Sequence, residues 1–419
     1  QQMEFLLSAG ADLPGAYKAL AALALAATQM EPMVEQESEI AYWLGAANYH
    51  LGDDRAALGH LDRQISAFPD EPFYADHSLL LRAFALERLG RRAEAAEGLQ
   101  QLLARPSAER FFPEALFRLG AVQLTGEQYV PALASFSRLV VEFPQSAFAE
   151  EARFYAAEAA FFAGRSAEAE RRYRGVLAES ARLSSVQQES VVYRLALILA
   201  ERGAAGESLG LVQELKQRFP QGQYSPLVPR LEADLLFDLG RYPEAAAAYR
   251  RALPLADDAG QGVAYNLGLA AELAGDAAGA VEPLRRAAAA GGEAGEKALF
   301  KLGSVLASLG RDAEAAAALQ DFDARFPGSA SREEALRLFA FLQRRSADPR
   351  QADEAYSRLL ARYPSSPHRD EYLFARGTAR LAAGDSAGAL KDFFALSEQH
   401  PASSFAAEAR YHVGYVYSQ

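Results

Sequence analysis

Near the C-terminal end, Gly384-Asp385-Ser386-Ala387-Gly388 satisfies the GxSxG spacing that exposes a nucleophilic serine on a tight turn. That chemistry needs a strand before the serine, and the residues before Ser386 have the apolar spacing of a helix. The same slot earlier in the chain reads Gly275-Asp276-Ala277-Ala278-Gly279, without the serine, so the match belongs to a recurring pattern. No catalytic role is expected of it. His50, His60, His77, His368, His400 and His412 never fall at i, i+4 or beside carboxylates with ligand spacing, so no metal site is expected. Gly291-Gly292 with Gly295 lacks the rest of a phosphate-binding loop, and no cofactor is expected. The chain has no cysteine, which excludes disulfides and thiolate chemistry.

One cationic group does stand out. Arg337, Arg344 and Arg345 share one helix face, and such a cluster can grip a carboxylate or phosphate as an anion clamp. The alternative is a solvated, ion-paired face. Adjacent acids such as Glu150-Glu151 and Glu333-Glu334 fall where helices begin, and there the helix dipole favours negative charge.

All of these residues sit inside a helical hairpin that recurs about every 37 residues. Its first helix carries a large residue before a glycine, as in Leu44-Gly45, Leu119-Gly120, Leu267-Gly268 and Leu302-Gly303. A turn glycine follows at Gly52, Gly275, Gly310 and Gly384. The second helix carries alanine and, four residues on, leucine or phenylalanine: Ala57/Leu61, Ala132/Phe136, Ala280/Leu284, Ala315/Leu319 and Ala389/Phe393. Proline after an aromatic residue or histidine closes the unit, as in Phe143-Pro144, Phe219-Pro220, Phe326-Pro327, Tyr363-Pro364 and His400-Pro401. Proline cannot continue a helix, so it ends the second one. Ser331 with Glu334 and Ser185 with Gln188 have capping-box spacing. No run alternates as a strand would.

These residues resemble the tetratricopeptide repeat. With the motif glycine at position eight, repeats start near residues 38, 76, 113, 150, 189, 226, 261, 296, 333, 370 and 407. The resemblance implies an all-α fold, a right-handed α-solenoid of antiparallel helix pairs. The expected organisation is a partial repeat at 1–37, ten repeats over 38–406 and a first helix at 407–419, as one continuous array. The junctions Phe143-Pro-Gln-Ser146, Phe326-Pro-Gly-Ser329 and Tyr363-Pro-Ser-Ser366 are similar to those of bacterial cell-envelope members, such as Tol-associated coordinators and outer-membrane-assembly lipoproteins. They imply a periplasmic or envelope location, with the cytoplasm as the alternative.

In this family, positions two, five, nine, twelve and thirteen of the first helices line a concave binding face. Position five is aromatic at Tyr42, Phe117, Phe154, Tyr193, Tyr265, Phe300, Phe374 and Tyr411; position two is glutamate at Glu39, Glu114, Glu151, Glu334, Glu371 and Glu408. Tyr42, Phe117, Phe154, Tyr193, Tyr265, Phe300 and Phe374, with Glu114 and Glu151, are therefore the candidate contacts for a protein or peptide with basic and apolar segments. The competing reading packs position five between first helices.

The net charge of −12 and pI near 5.2 disfavour nucleic acid as a partner. No apolar run reaches the ~18 residues of a membrane span. The chain opens Gln1-Gln2-Met3, Gly10 falls where a turn glycine would, and Phe405 to Gln419 reads as a first helix without its second. A fragment cut in mid-repeat is expected, able to self-associate through that last helix. The expected function is a non-catalytic interaction scaffold. The alternatives are an accessory region of a larger enzyme (a murein lyase or glycosyltransferase) or a periplasmic scaffold for exopolysaccharide secretion.

Overall fold

The computed structural model describes residues 13–29, 34–69, 71–179, 183–255, 260–289, 291–346 and 348–419. Among them there are helices and no strand. Gly10 lies outside the described residues. The chain groups into two compact units, 1–202 and 203–419.

The first unit contains α1 (Leu13–Ala27), α2 (Val34–Leu51), α3 (Asp54–Ala67), α4 (Pro72–Arg88), α5 (Arg92–Leu103), α6 (Phe112–Thr125), α7 (Tyr129–Glu142), α8 (Ala149–Phe162), α9 (Ser166–Ala178) and α10 (Ser185–Glu201). The second contains α11 (Ala205–Arg218), α12 (Val228–Asp238), α13 (Tyr242–Ala252), α14 (Gly260–Leu273), α15 (Ala277–Ala288), α16 (Gly292–Ser308), α17 (Asp312–Arg325), α18 (Arg332–Arg345), α19 (Pro349–Arg362), α20 (Arg369–Ala382), α21 (Ser386–Gln399) and α22 (Ala406–Ser418). Even-numbered helices are the first helices of the repeats and odd-numbered ones the second. Within each unit every helix packs on its chain neighbours, and first helices also touch one another, as α6 does α8 and α14 does α16.

The two helices of a pair meet at the position-eight glycine. A Cβ added at Gly120 would lie 2.7 Å from the Phe136 ring, at Gly268 2.5 Å from Leu284 and at Gly377 2.7 Å from Phe393. The facing side chain therefore sits on bare backbone, and Phe136, Leu284 and Phe393 are fully buried there.

The junctions are built from their sequence signature. Phe143, Phe326, Tyr363 and His400 cap their helices with φ near −130° to −122° and ψ from 55° to 65°, because the following proline bars the α region to the residue before it. The serine two places beyond that proline then makes two contacts. Ser329 accepts from the backbone N–H of Ser331 and donates to Glu296 at 2.6 Å. Ser366 accepts from His368 and donates to Glu333, and Ser403 accepts from Phe405 and donates to Asp370. Glu333 and Asp370 lie in the first turn of the first helix of the repeat just completed, and Glu296 lies one turn into its own. One hydroxyl thus starts the next helix and ties it to the previous repeat.

Two expected caps move. The capping box belongs to Ser184 and Gln187, one residue ahead of the expected pair. Ser331 makes no side-chain cap; its N–H goes to Ser329 instead. Elsewhere aspartate after the turn glycine caps the second helix, with Asp276 accepting from Gly279 and Asp385 from Gly388. Ser386 accordingly opens a capped helix and occupies no strand-to-helix elbow.

The turn after α6 departs from the others. Gly126 keeps φ −89° and Glu127 takes the left-handed φ of 59°, at the register where Gly275 and Gly310 lie at 84° and 72°. A side chain there costs ~1 to 2 kcal/mol. Glu127→Gly is therefore expected to raise unfolding free energy by about 1 kcal/mol, part of the gain being lost to unfolded-chain entropy. Gly120→Ala should lower it by about 1 to 3 kcal/mol despite alanine's better helix propensity, because the Phe136 ring must give way. Urea denaturation of the two variants measures both, and opposite signs are the expected result.

Candidate protein-binding face

The position-five aromatics form the seam between repeats. Tyr42, Phe154, Tyr193 and Phe374 are only 4, 6, 9 and 8% exposed. Tyr42 shares a 2.6 Å hydrogen bond with His77 Nδ1 and packs on Tyr74. Phe117 stacks on Phe148 with centroids 5.3 Å apart, and Phe374 stacks on Phe405 at 5.1 Å. Phe148 and Phe405 each cap the next first helix, so the ring is covered by the junction that follows it. As peptide anchors, Tyr42, Phe154, Tyr193 and Phe374 are corrected: their surface is spent on packing. Phe117, Tyr265 and Phe300 are half-buried, and Phe300 lies against Phe322 at 5.8 Å.

Two of the position-two acids stay free of ion pairs. Glu151 is exposed and Glu114 half-exposed, and neither forms an ion pair among the described residues. Glu39 accepts from the Trp43 indole at 3.3 Å, and Glu371 lies 3.8 Å from Arg337.

That contact also dissolves the expected clamp. Arg337 reaches forward to Glu371 on α20, whereas Arg345 reaches back to Asp312 on α17 at 3.3 Å. Arg344 stands over the Phe341 ring, 5.4 Å from its centroid. Arg345 also stands over that ring, at 5.9 Å, so the three arginines are divided between two acids and one ring and do not converge on one anion. Among the described residues no cluster of His, Asp and Glu could hold a metal, and no helix is long and apolar enough to cross a membrane.

The side chains that do line the open part of the first helices lie at positions six, nine, twelve and thirteen, and in the first unit they make an arginine–aromatic row. The Arg88 guanidinium lies 4.2 Å over Tyr49, and Arg118 lies 4.9 Å over Phe84. Arg194 lies over both Phe161 and Phe162, at 4.8 and 4.6 Å. Arg88 is fixed by Asp54 and by the Tyr49 carbonyl. Arg194 pairs with Glu158 at 2.9 Å, and the Tyr173 hydroxyl donates to the same carboxylate at 2.5 Å. Burial raises the Glu158 carboxyl above its ordinary value even so, with Arg194 pulling the other way. Among the described residues Arg118 pairs with no acid, and its Nε is buried without a hydrogen-bond partner.

The second unit repeats part of this pattern. The Tyr249 hydroxyl donates to Asp234 at 2.5 Å, as Tyr173 does to Glu158, and Lys301 pairs with Glu272 of the preceding repeat at 2.8 Å. The apolar groups left facing outward are Phe162, Leu273 and Phe341, 44, 52 and 39% exposed. They stand at positions thirteen, thirteen and nine. Sequence reasoning passed over them because no single residue type repeats there. The signal lay in arginines at position six following aromatics at positions nine and twelve of the repeat before.

Family models of the tetratricopeptide repeat match residues 80–147, 297–329 and 339–407, and a model of the tetratricopeptide repeat-like domain matches 131–269. No curated protein matches the chain. Among solved structures, a tetratricopeptide repeat protein of Parabacteroides merdae aligns at 18% identity over 65% of this chain and 99% of its own, with a TM-score of 0.40. The C-terminal part of a repeat-containing protein of Cytophaga hutchinsonii aligns at 16% identity over 61% and 99%, with a TM-score of 0.48.

The burial of His77 sets a pH dependence. Burial, with Arg110 and His50 nearby, pulls the His77 ring down to about 4 from its ordinary 6.5. Between those values the unfolded chain binds a proton that the folded chain refuses, so stability is full above pH 6.5 and falls as the pH drops toward 4. His77→Phe should flatten that part of the stability–pH curve. NMR of the wild-type ring should give a midpoint near 4; a midpoint near 6.5 would show the ring solvated.

Proposed function

Because this chain belongs to the tetratricopeptide repeat family, we propose that it is a non-catalytic scaffold that holds protein segments along the open face of its first helices. The observation that carries the reading is the presence, in each unit by itself, of outward apolar groups on first helices: Phe162 with the exposed acid Glu151 in the first, Leu273 and Phe341 in the second. Isolated exposed hydrophobic residues are ordinary, but those on the open face of first helices, with acids beside them, offer apolar contacts to a bound segment within each unit. Acids at position two favour a basic flank, and the apolar groups further along each helix favour leucine, phenylalanine or the stem of a long side chain.

A bacterial cell-envelope setting is supported by the aromatic-Pro-x-Ser junctions, which are similar to those of envelope members of the family. Fractionation of the native host, with the protein found in cytosol alone, would sink that part of the reading and leave the scaffold intact.

Binding and stability should separate by position. Peptide-library selection against the chain is expected to enrich segments that combine Lys or Arg with Leu or Phe. Phe162→Ala should weaken the selected peptide by about 1 to 2 kcal/mol with little change in Tm. Tyr42→Ala should instead lower stability by about 3 to 5 kcal/mol. If Phe162→Ala and Glu151→Lys both leave affinity unchanged, the segment binds elsewhere.

A further inference from the structure

Twice in the first unit an arginine lies over two aromatic rings. Arg194 lies over Phe161 and Phe162, and the edge of its guanidinium goes to the Glu158 carboxylate at 2.9 Å. Arg110 lies 4.7 Å over Phe73 and 4.5 Å over Phe111. Among the described residues no acid pairs with Arg110 and no acceptor takes its N–H groups, and the side chain is exposed. The rings that hold it are themselves fixed. Phe111 ends the short helical turn Pro106–Phe111 that leads into α6, and it stacks on His77 at 5.2 Å; His77 shares its hydrogen bond with Tyr42. Phe73, in the first turn of α4, meets Tyr74 edge to face at 5.1 Å and is 57% exposed. Arg105 of the same junction is already committed, pairing with the buried Asp76 at 2.5 Å and donating to the Pro69 carbonyl at 3.2 Å.

We propose that Arg110 and Phe73 bind a carboxylate carried beside a large apolar side chain, as in an Asp-Phe pair of a partner protein. Arg194 identifies the occupant: it has the same cation–ring arrangement, with the carboxylate supplied by the chain itself. Rings against its faces leave a guanidinium its in-plane donors, and a carboxylate meets those with two oxygens in one plane. A phosphate dianion draws on further cations, and here Arg105 is bound to Asp76 while Glu109 adjoins Arg110 in the chain. The open Phe73 ring gives the neighbouring apolar group its surface. Because the ring contacts restrain the arginine beforehand, little of its freedom is lost on binding. The site takes the opposite charge from the acid-bearing face proposed above, and it does not rest on that reading.

The probe is acetyl-Asp-Phe-amide, titrated into the full chain carrying nitrogen-15 in its arginines. The Arg110 Nε–H resonance, identified by its loss in Arg110→Gln, should shift saturably. Saturation-transfer NMR on the ring of the probe then compares variants. Acetyl-Asn-Phe-amide has the shape without the charge and should bind at least about tenfold more weakly, as should acetyl-Asp-Phe-amide with Arg110→Gln. Phe73→Ala, at an exposed ring, should weaken binding roughly threefold to tenfold and keep the wild-type Tm. Phe162→Ala should leave this probe unaffected. No saturable shift of Arg110, equal binding of the asparagine probe, or equal binding by Phe73→Ala overturns the proposal. Inorganic phosphate binding more tightly than acetyl-Asp-Phe-amide at the same ionic strength assigns the arginine to phosphate groups, and overturns it too.

Discussion

The approach of two helix backbones at a residue with no side chain is the constraint from which the rest of each unit follows. At Gly120 or Gly268 the facing ring or leucine rests where a Cβ would have to be, so the second helix is fixed in depth and in register against the first. Apolar burial alone would leave such a pair free to slide, since one leucine against another favours several offsets almost equally. A knob on bare backbone has one position. The alanine four residues earlier, as at Ala132 and Ala280, lets the same close approach continue along the pair, and both alanines are fully buried.

What fixes a pair does not by itself fix the next one. That task falls to the junction, where proline ends the second helix and the serine beyond it turns the chain. Ser329, Ser366 and Ser403 each tie the start of a new first helix to an acid at the start of the previous one. Glu333 and Asp370 already have a favourable place in the first turn of a helix, so there the hydroxyl adds a directional bond to a charge that the dipole holds. The position-five ring completes the seam from the other side: Phe117 and Phe374 lie under Phe148 and Phe405, which the same turn brings back over them.

The period, the glycine sockets and the closing prolines could all be read from residue type, because each is a local rule repeated. The destination of position five could not. Whether an aromatic ring at Tyr42 or Phe154 faces a ligand or a neighbour depends on where the following junction folds, more than thirty residues later. The arginine clamp failed for a related reason. Arg337, Arg344 and Arg345 do share a helix face, but Glu371 and Asp312, which draw two of them apart, belong to other repeats. Ser184 and Gln187 show the smaller kind of error, a cap displaced by one residue where the local pattern allowed two placements.

Position six shows how such an array keeps room for function. Its side chain reaches back over the preceding first helix in several repeats, and it meets different neighbours there. Arg194 finds Glu158 and two phenylalanines, Lys301 finds Glu272, and Arg118 finds Phe84 and, among the described residues, no acid. The sockets at position eight tolerate almost nothing but glycine or alanine, and position five must fill the seam. Positions six, nine, twelve and thirteen carry such a burden in only some repeats, as at Leu81, Ala375 and Ala46. They can change from charge pair to cation–ring contact to bare apolar surface without disturbing the knob one turn away. The chemistry that distinguishes one repeat from the next collects at those positions in the repeats where packing leaves them free.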